Sequence, residues 1–417
     1  MTNPSIPPAS SLPPRIERLA RLAGLAERRV LGLMSGTSLD GLDLALCMIS
    51  GQGRDMVWRL ERFHTLPYSA EQRERLHAVV SQPRADLREL AVLNAWLAGA
   101  HAAMVRDSLA AWEVAPGSVH LLASHGVTVY HAPGAWEEQG RPRHATLQLC
   151  DGDQLAVATG LLTVSDFRQK EIAFGGEGAP LAPYADALLF TAEVPRVLLN
   201  LGGIANFTRL APQGDPASPV SGDTGPANGL IDRAVRRLLP GHSHSYDHDG
   251  MLAAQGTVSA PLLESLLEHP YYARPFPKST GPETFGDAYL ETLLSGTEAE
   301  GLSPPELIAT LTRLTVRTVA EAIRRECGDI GGGDLKGTQI AVSGGGRHNP
   351  VMMEGLRAAL PEASWIGMEQ LGLPPDAKEA VLFAVLAHES LFGEGFPAPG
   401  GGREDRRFGF GKLSWPD

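Results

Sequence analysis

Two segments of the 417-residue chain repeat one local grammar. Residues 29–50 read RVLGLMSGTSLDGLDLALCMIS: an apolar strand, a small loop of Gly, Ser and Thr, and a second apolar strand. Residues 196–210, RVLLNLGGIANFTRL, again run strand, Gly-rich loop, strand. Glycine in such turns admits positive φ and lets another backbone or a ligand approach closely. The two loops lie about 170 residues apart, roughly one domain length. A repeat at this spacing points to two related domains rather than a solenoid, with two unrelated hairpins as the alternative.

The rest of the chain alternates strand and helix signals. Residues 69–112 are helix-like with a break near Pro83, and short strands fall at 120–125, 146–149 and 162–164. Helical patterns follow at 227–239, 262–269 and 304–327; a strand at 339–342 enters Ser343-Gly344-Gly345-Gly346, and a helix covers 376–392. This alternation predicts α/β layers. The expected division is a flexible extension over 1–28, a first domain over 29–160 plus 385–417, and a second over 161–384. The Gly- and Pro-rich end of the chain reads as a tail, and residues 15–29 as a short amphipathic helix with Leu19, Leu22 and Leu25 on one face.

Charge and cysteine usage narrow the function classes. Lys plus Arg number 36 and Asp plus Glu 48, a net charge of −12. A nucleic-acid binder or an anionic-membrane binder needs a basic surface, so neither partner is expected. No apolar run reaches the roughly 18 residues of a membrane span, and the start of the chain lacks the apolar core of a secretory signal. Cys47, Cys150 and Cys327 are far apart with no C-x-x-C pair, which excludes a disulfide framework and a thiolate zinc site. Reduced thiols suit the cytoplasm.

No G-x-x-x-x-G-K-S/T loop and no G-x-G-x-x-G after a strand is present. Three Gly/Ser/Thr loops nevertheless follow strands, at 35–41, 201–206 and 343–347. Their backbone N–H groups can cradle phosphate oxygens without a cation. Asp40 and Asp43 flank Gly41, either to hold Mg²⁺ or to make an Asx turn. Asp223, in SGDTGPANGLID, is a general base or a helix N-cap. Glu379 in the first turn of a helix already matches the helix dipole. Arg168 can pair with an anionic substrate group or with a structural acid, and His125 can bond a hydroxyl or simply pack. The group His242, His244, Asp247, His248 and Asp249 lacks the spacing of a metal site. Ser124-His125 has no third member for a nucleophilic triad.

Taken together these residues resemble the anhydro-N-acetylmuramic acid kinases, sugar kinases of the actin-like ATPase superfamily. The matching blocks, in order, are GLMSGTSLDGLDLAL, ASHGVTVYH, TLQLCDGD, VSDFRQKEIAFGGEGAPL, LNLGGIANFT, DTGPANGLID, PKSTGPETF, VSGGGRHNP and KEAVLFAVLA. The resemblance implies two duplicated actin-like (ribonuclease H-like) α/β domains with a cleft between them. It implies a peptidoglycan-recycling kinase that uses ATP and Mg²⁺. Such a kinase phosphorylates O6 of the 1,6-anhydro sugar while water opens the bridge at C1, yielding N-acetylmuramic acid 6-phosphate and ADP. It assigns the general base to Asp223 and a second acid, near the water and the metal, to Glu379. Gly36, Thr37, Ser38, Leu39, Asp40, Gly41, Leu42 and Asp43 match the ATP phosphate loop, with Asp40 near Mg²⁺. Gly202 and Gly203 match the second phosphate loop, and Gly344, Gly345 and Gly346 the adenosine loop. Thr128, Asp166 and Arg168 lie in sugar-side blocks. A homodimer stays open.

Three positions depart from the family pattern: Val127 where Gln is usual, Glu171 where Asp is usual, and Glu177 in place of the Gln of G-G-Q-G. All three fall in sugar-side blocks and leave open which anhydro sugar is used. A levoglucosan kinase is the alternative enzyme, and a non-catalytic sugar sensor the alternative class.

Overall fold

The computed structural model describes residues 12–36, 39–82, 84–138, 141–213, 215, 219–327, 335–399 and 406–417. Two compact units divide the chain, residues 1–189 with 376–417 and residues 190–375.

In the first unit, β1 (Glu27–Met34), β2 (Gly41–Ser50) and β3 (Val57–Pro67) form an antiparallel meander. β4 (Leu121–Ser124) pairs parallel with β1. β5 (Val127–Glu138) and β6 (Arg141–Leu149) make a separate hairpin, and β7 (Thr163–Ser165) then pairs parallel with β4. The second unit repeats the plan. β8 (Arg196–Leu201), β9 (Ile204–Leu210) and β10 (Val220–Pro226) form the meander. β11 (Gln339–Ser343) runs parallel to β8, and β12 (Ser364–Gly367) parallel to β11. Counting only the sheet strands in chain order and leaving out the separate hairpin, both sheets share the order 3-2-1-4-5, and the first carries a sixth strand beyond the fifth. One meander followed by two parallel strands, present twice, is the duplicated ribonuclease H-like topology that the sequence resemblance implies.

From Val30 to Met34 β1 is an unbroken apolar and glycine run because it is covered on both faces there. Leu31 and Leu33 face a core with Leu93, Leu97 and Val105 of the helix Leu87–Ala111. The intervening Gly32 lies under the helix Lys378–Phe392, where a Cβ would stand 1.9 Å from the Ala380 carbonyl oxygen. Only glycine allows that approach. In the second unit Val197, Leu199 and Phe207 pack with Ile308, Leu311 and Val319 of the helix Pro304–Cys327. The Thr315 hydroxyl of that helix donates to the Pro226 carbonyl at 3.0 Å, tying it to the end of β10.

Three sequence expectations change. The unit boundaries fall after Leu189 and Pro375 rather than at 160 and 384. β7 belongs to the first sheet, and the helix Lys378–Phe392, which the sequence boundary cut through, lies whole on β1. The chain end is not a loose tail. After the short pair β13 (Phe396–Pro397) and β14 (Arg407–Phe408), β15 (Lys412–Ser414) joins the first sheet beside β7. Phe396, Phe408 and Phe410 are buried together around Tyr184, an aromatic anchor that the Gly and Pro content masks. Of the expected flexible extension, residues 1–11 lie outside the described residues. Pro14–Ala23 is a helix, and buried Arg28 donates to the Leu22 carbonyl at 2.7 Å. Among the described residues no helix is long and apolar enough to cross a membrane.

Candidate active site

The β1–β2 loop is anchored from below. Leu39 takes a left-handed backbone (φ 57°) with its side chain fully buried, and its N–H donates to the Gly36 carbonyl at 3.2 Å. Leu42 is buried too, and a Cβ on Gly41 would stand 2.2 Å from the Leu66 carbonyl oxygen. Thr37 and Ser38 lie outside the described residues. Asp40 is exposed. Asp43, half-buried on β2, accepts the Thr65 hydroxyl at 2.6 Å.

Asp43 has an acidic neighbour on the helix Lys378–Phe392. Burial and then the Asp43 charge push the Glu379 carboxyl above its ordinary range, although its side chain still meets solvent. Burial likewise raises Asp43, with Asp376 adding to the shift. Asp43 is therefore the loop carboxylate whose charge Glu379 feels. One turn after Glu379, buried Phe383 packs on the His125 ring, centroids 4.7 Å apart.

His125 follows β4. Its Nε2 accepts Arg168 Nε–H at 2.9 Å, while another guanidinium N–H reaches the Gly178 carbonyl at 2.7 Å. Burial, then the Arg168 charge, push the His125 imidazole down to about 3, so it stays a neutral acceptor. Arg168 itself feels Glu379. The first unit thus gathers Asp43, Glu379, His125 and Arg168. Thr128 stands on the β5–β6 hairpin, its hydroxyl accepting Gln148 Nε2–H at 3.2 Å. Asp166, also left-handed (φ 56°), pairs with Lys412 of β15.

The family departures are mostly structural. Val127 is fully buried in the first core, so it does not face a ligand as a sugar-selecting residue would. Glu171 is buried beneath the GGEG turn and accepts the Gly178 N–H at 2.5 Å. Glu177 is exposed.

In the second unit two glycine loops meet at the C-terminal ends of parallel β8 and β11. The Gly203 carbonyl accepts the N–H groups of Ala227 and Gly229, each at 3.0 Å, and the Gly202 carbonyl that of Asn228 at 3.1 Å. The Asn228 side chain donates to the Leu201 carbonyl at 3.1 Å. Gly344 (φ 82°) leaves β11 so close that a Cβ would lie 2.6 Å from the Leu201 carbonyl oxygen and 2.7 Å from Asn200 Oδ1. A Cβ on Gly346 would meet the Leu201 side chain at 2.7 Å, whereas Gly345 borders Asn228 without crowding.

Asp223 lies on β10 where the register with β9 shifts between Asp223 and Gly225. Such a bulge re-aims a side chain. Its carboxylate accepts the Thr280 N–H at 2.8 Å, and its backbone is held by Tyr271 Oη (2.7 Å) and the Lys278 carbonyl (2.8 Å). The helix Asn228–Leu238 begins after Ala227 with no side-chain cap, so the capping alternative for Asp223 does not hold. Burial pushes the Asp223 carboxyl up, the Thr280 bond opposes this, and the Glu283 charge adds to it. The Thr280 hydroxyl has no hydrogen-bond partner among the described residues. A carboxylate of raised basicity beside a free hydroxyl can accept a proton from a bound water. Thr280 is 57 residues from Asp223, and no spacing rule could have named it as the partner. Among the described residues no group of three or more His, Cys, Asp or Glu is arranged to hold a metal, the histidines at 242–248 included.

Comparison with known proteins agrees along nearly the whole chain. Residues 28–404 match the model of the anhydro-N-acetylmuramic acid kinase family. The anhydro-N-acetylmuramic acid kinase of Pseudoalteromonas atlantica is 43% identical over 405 residues, 96% of this chain and 99% of that one. Its counterpart in Salinibacter ruber is 39% identical over 96% of this chain and 100% of its own length. That in Caldanaerobacter subterraneus subsp. tengcongensis is 34% identical over 91% and 94%. With two ribonuclease H-like sheets, paired glycine loops and a match of this length, the chain belongs to the anhydro-N-acetylmuramic acid kinase family.

Proposed function

We propose that the protein uses ATP to phosphorylate O6 of 1,6-anhydro-N-acetylmuramic acid as water opens its bridge, a step of peptidoglycan recycling in the cytoplasm. Water oxygen bonds to C1 as the C1–O6 bond breaks. O6 then bonds to the γ-phosphorus of ATP, ADP leaves, and the water proton passes to Asp223. The products are N-acetylmuramic acid 6-phosphate and ADP. The match over residues 28–404 is the observation on which this reading rests.

Local chemistry supports it. Phosphoryl transfer asks mainly for positioning and charge neutralisation. The Gly36–Asp43 loop and Gly202–Gly203 offer backbone N–H donors for phosphates, and Gly344–Gly346 a close-packed turn for the nucleoside. Asp223 keeps its carboxylate oriented through Thr280 and basic through burial. Arg168 is the cation suited to the sugar's lactyl carboxylate, with Thr128 and Asp166 as hydroxyl partners.

The donor set fits Mg²⁺. Glu379, whose proton affinity the Asp43 charge raises, and Asp43 itself favour a hard divalent cation, which commonly takes one or two carboxylates together with substrate phosphates. Asp40 stands in the same loop as a ligand through water. When bound, the cation neutralises phosphate charge.

A panel of anhydro sugars with an ADP readout tests the substrate. The muramic sugar is expected to show the highest kcat/KM, because levoglucosan lacks the lactyl carboxylate. Equal or better use of levoglucosan would assign the chain to the other anhydrohexose chemistry.

A further inference from the structure

Tyr68 holds the β1–β2 loop at both ends. Its backbone N–H donates to the Asp40 carbonyl at 3.1 Å, and its hydroxyl lies 2.8 Å from Ser35 Oγ. Ser35 follows β1 directly and Asp40 directly precedes β2, so one side chain and its own backbone bracket the whole loop. The ring is buried, 2% exposed.

Behind Tyr68 stands a buried polar chain. Its hydroxyl is 2.7 Å from Nε2 of His101, and the two rings lie nearly parallel, centroids 6.0 Å apart. His101 projects from the middle of the helix Leu87–Ala111 and is fully buried. Its Nδ1 is 3.5 Å from Cys150 Sγ, which accepts the Ser124 hydroxyl at 3.7 Å. Burial pushes the His101 imidazole down to about 3, so it is neutral, with one donor and one acceptor nitrogen. The chain Ser35–Tyr68–His101–Cys150–Ser124 therefore pairs each member in turn. It joins the ends of neighbouring parallel strands β1 and β4, each of which opens into a loop of the candidate site. Apolar side chains could fill this space without desolvating five polar groups. A satisfied polar network instead fixes one relative placement of the groups that it joins.

We propose that Tyr68 and His101 are positioning residues for phosphoryl transfer, a strut that sets where the β1–β2 loop holds the phosphates. The proposal rests on the reading of that loop as the phosphate site of an ATP-dependent sugar kinase.

Tyr68→Phe in the full chain removes the hydroxyl and keeps the ring. Amide exchange in the ligand-free protein, read over residues 39–43, is expected to quicken by about tenfold, the effect of losing one buried hydrogen bond. KM for ATP should rise or kcat fall by at least about fivefold, with KM for the sugar within about twofold. His101→Ala should act likewise, and His101→Gln, whose amide can replace Nε2, should return the ATP parameters to within about threefold of wild type. The Ala and Gln pair carries the test if Tyr68→Phe does not fold. Unchanged exchange would overturn the strut. Faster exchange with ATP kinetics unmoved would overturn its role. A wild-type protein that shows no ATP-dependent sugar phosphorylation would remove the kinase reading and this role together, while exchange would still report whether the strut exists.

Discussion

Asp223 carries the proton chemistry of the proposed reaction, and its surroundings make two expectations specific. Asp223→Asn preserves the shape and the Thr280 N–H contact but removes the base, so turnover should fall by at least about 10²-fold with ATP and sugar binding retained. Steady-state kinetics with calorimetric binding separate these effects, and wild-type kcat in the folded variant would remove Asp223 from the role. The second expectation concerns pH. Burial raises the Asp223 carboxyl, and the base works only when ionised. Activity should therefore be lost as pH falls through that raised value, placing the acid limb of kcat/KM above the ordinary aspartate range near about 3.9. Stability has the opposite sign. A carboxylate with a raised folded pKa binds extra protons in the folded state, so its stabilising contribution is complete at low pH and lost as pH rises through the window. Asp223→Asn should thus leave the melting temperature unchanged or raised near neutral pH, whereas a merely structural aspartate would lower it. The charge at Asp223 was legible from its motif. Its bulge and its contact with Thr280 were not, because both depend on strands and loops that meet only in the fold.

At the scale of elements, the glycine loops are legible because glycine is the residue that such close approaches require. Gly344 combines a left-handed φ with a Cβ position 2.6 Å from the Leu201 carbonyl oxygen. Gly344→Ala would strain the backbone and push β11 from β8, so nucleotide affinity should drop by at least about tenfold, equivalent to about 1.4 kcal/mol. Equilibrium titration with ATP measures it. An unchanged Kd would separate the 343–347 loop from nucleotide binding. The central strands of each sheet were likewise readable, being apolar runs or strict alternations. The third strand of each meander was not. β3 is an edge strand that leaves Val57 66% exposed, and β10, VSGDTGP, offers Val220 and Pro226 as its only apolar residues apart from glycine. β15 escaped for a similar reason: a three-residue edge strand carries no periodicity, and only its pairing with β7 reveals it. Val127 reverses the usual lesson. It sits in a motif tied to substrate, yet its side chain is core.

Over the whole molecule, the repeated hairpins foretold the duplicated topology because both units begin with the same meander. Their boundaries were misplaced because the chain returns to the first unit at Asp376, ahead of a helix whose contacts with β1 are nonlocal. That return places Glu379 and Asp43 in one unit, while the loops at 202–203 and 344–346 and Asp223 belong to the other. The proposed reaction joins two events, activation of water and transfer of phosphate. The most direct test follows both events in one vessel. Purified protein, ATP, Mg²⁺ and 1,6-anhydro-N-acetylmuramic acid are incubated, and sugar products and ADP are quantified by mass spectrometry. One ADP should form for each N-acetylmuramic acid 6-phosphate, with no opened, unphosphorylated sugar and no phosphorylated sugar that keeps its bridge. ADP released without sugar phosphate, or a product with the anhydro bridge intact, would contradict the coupled opening and phosphorylation proposed for this chain.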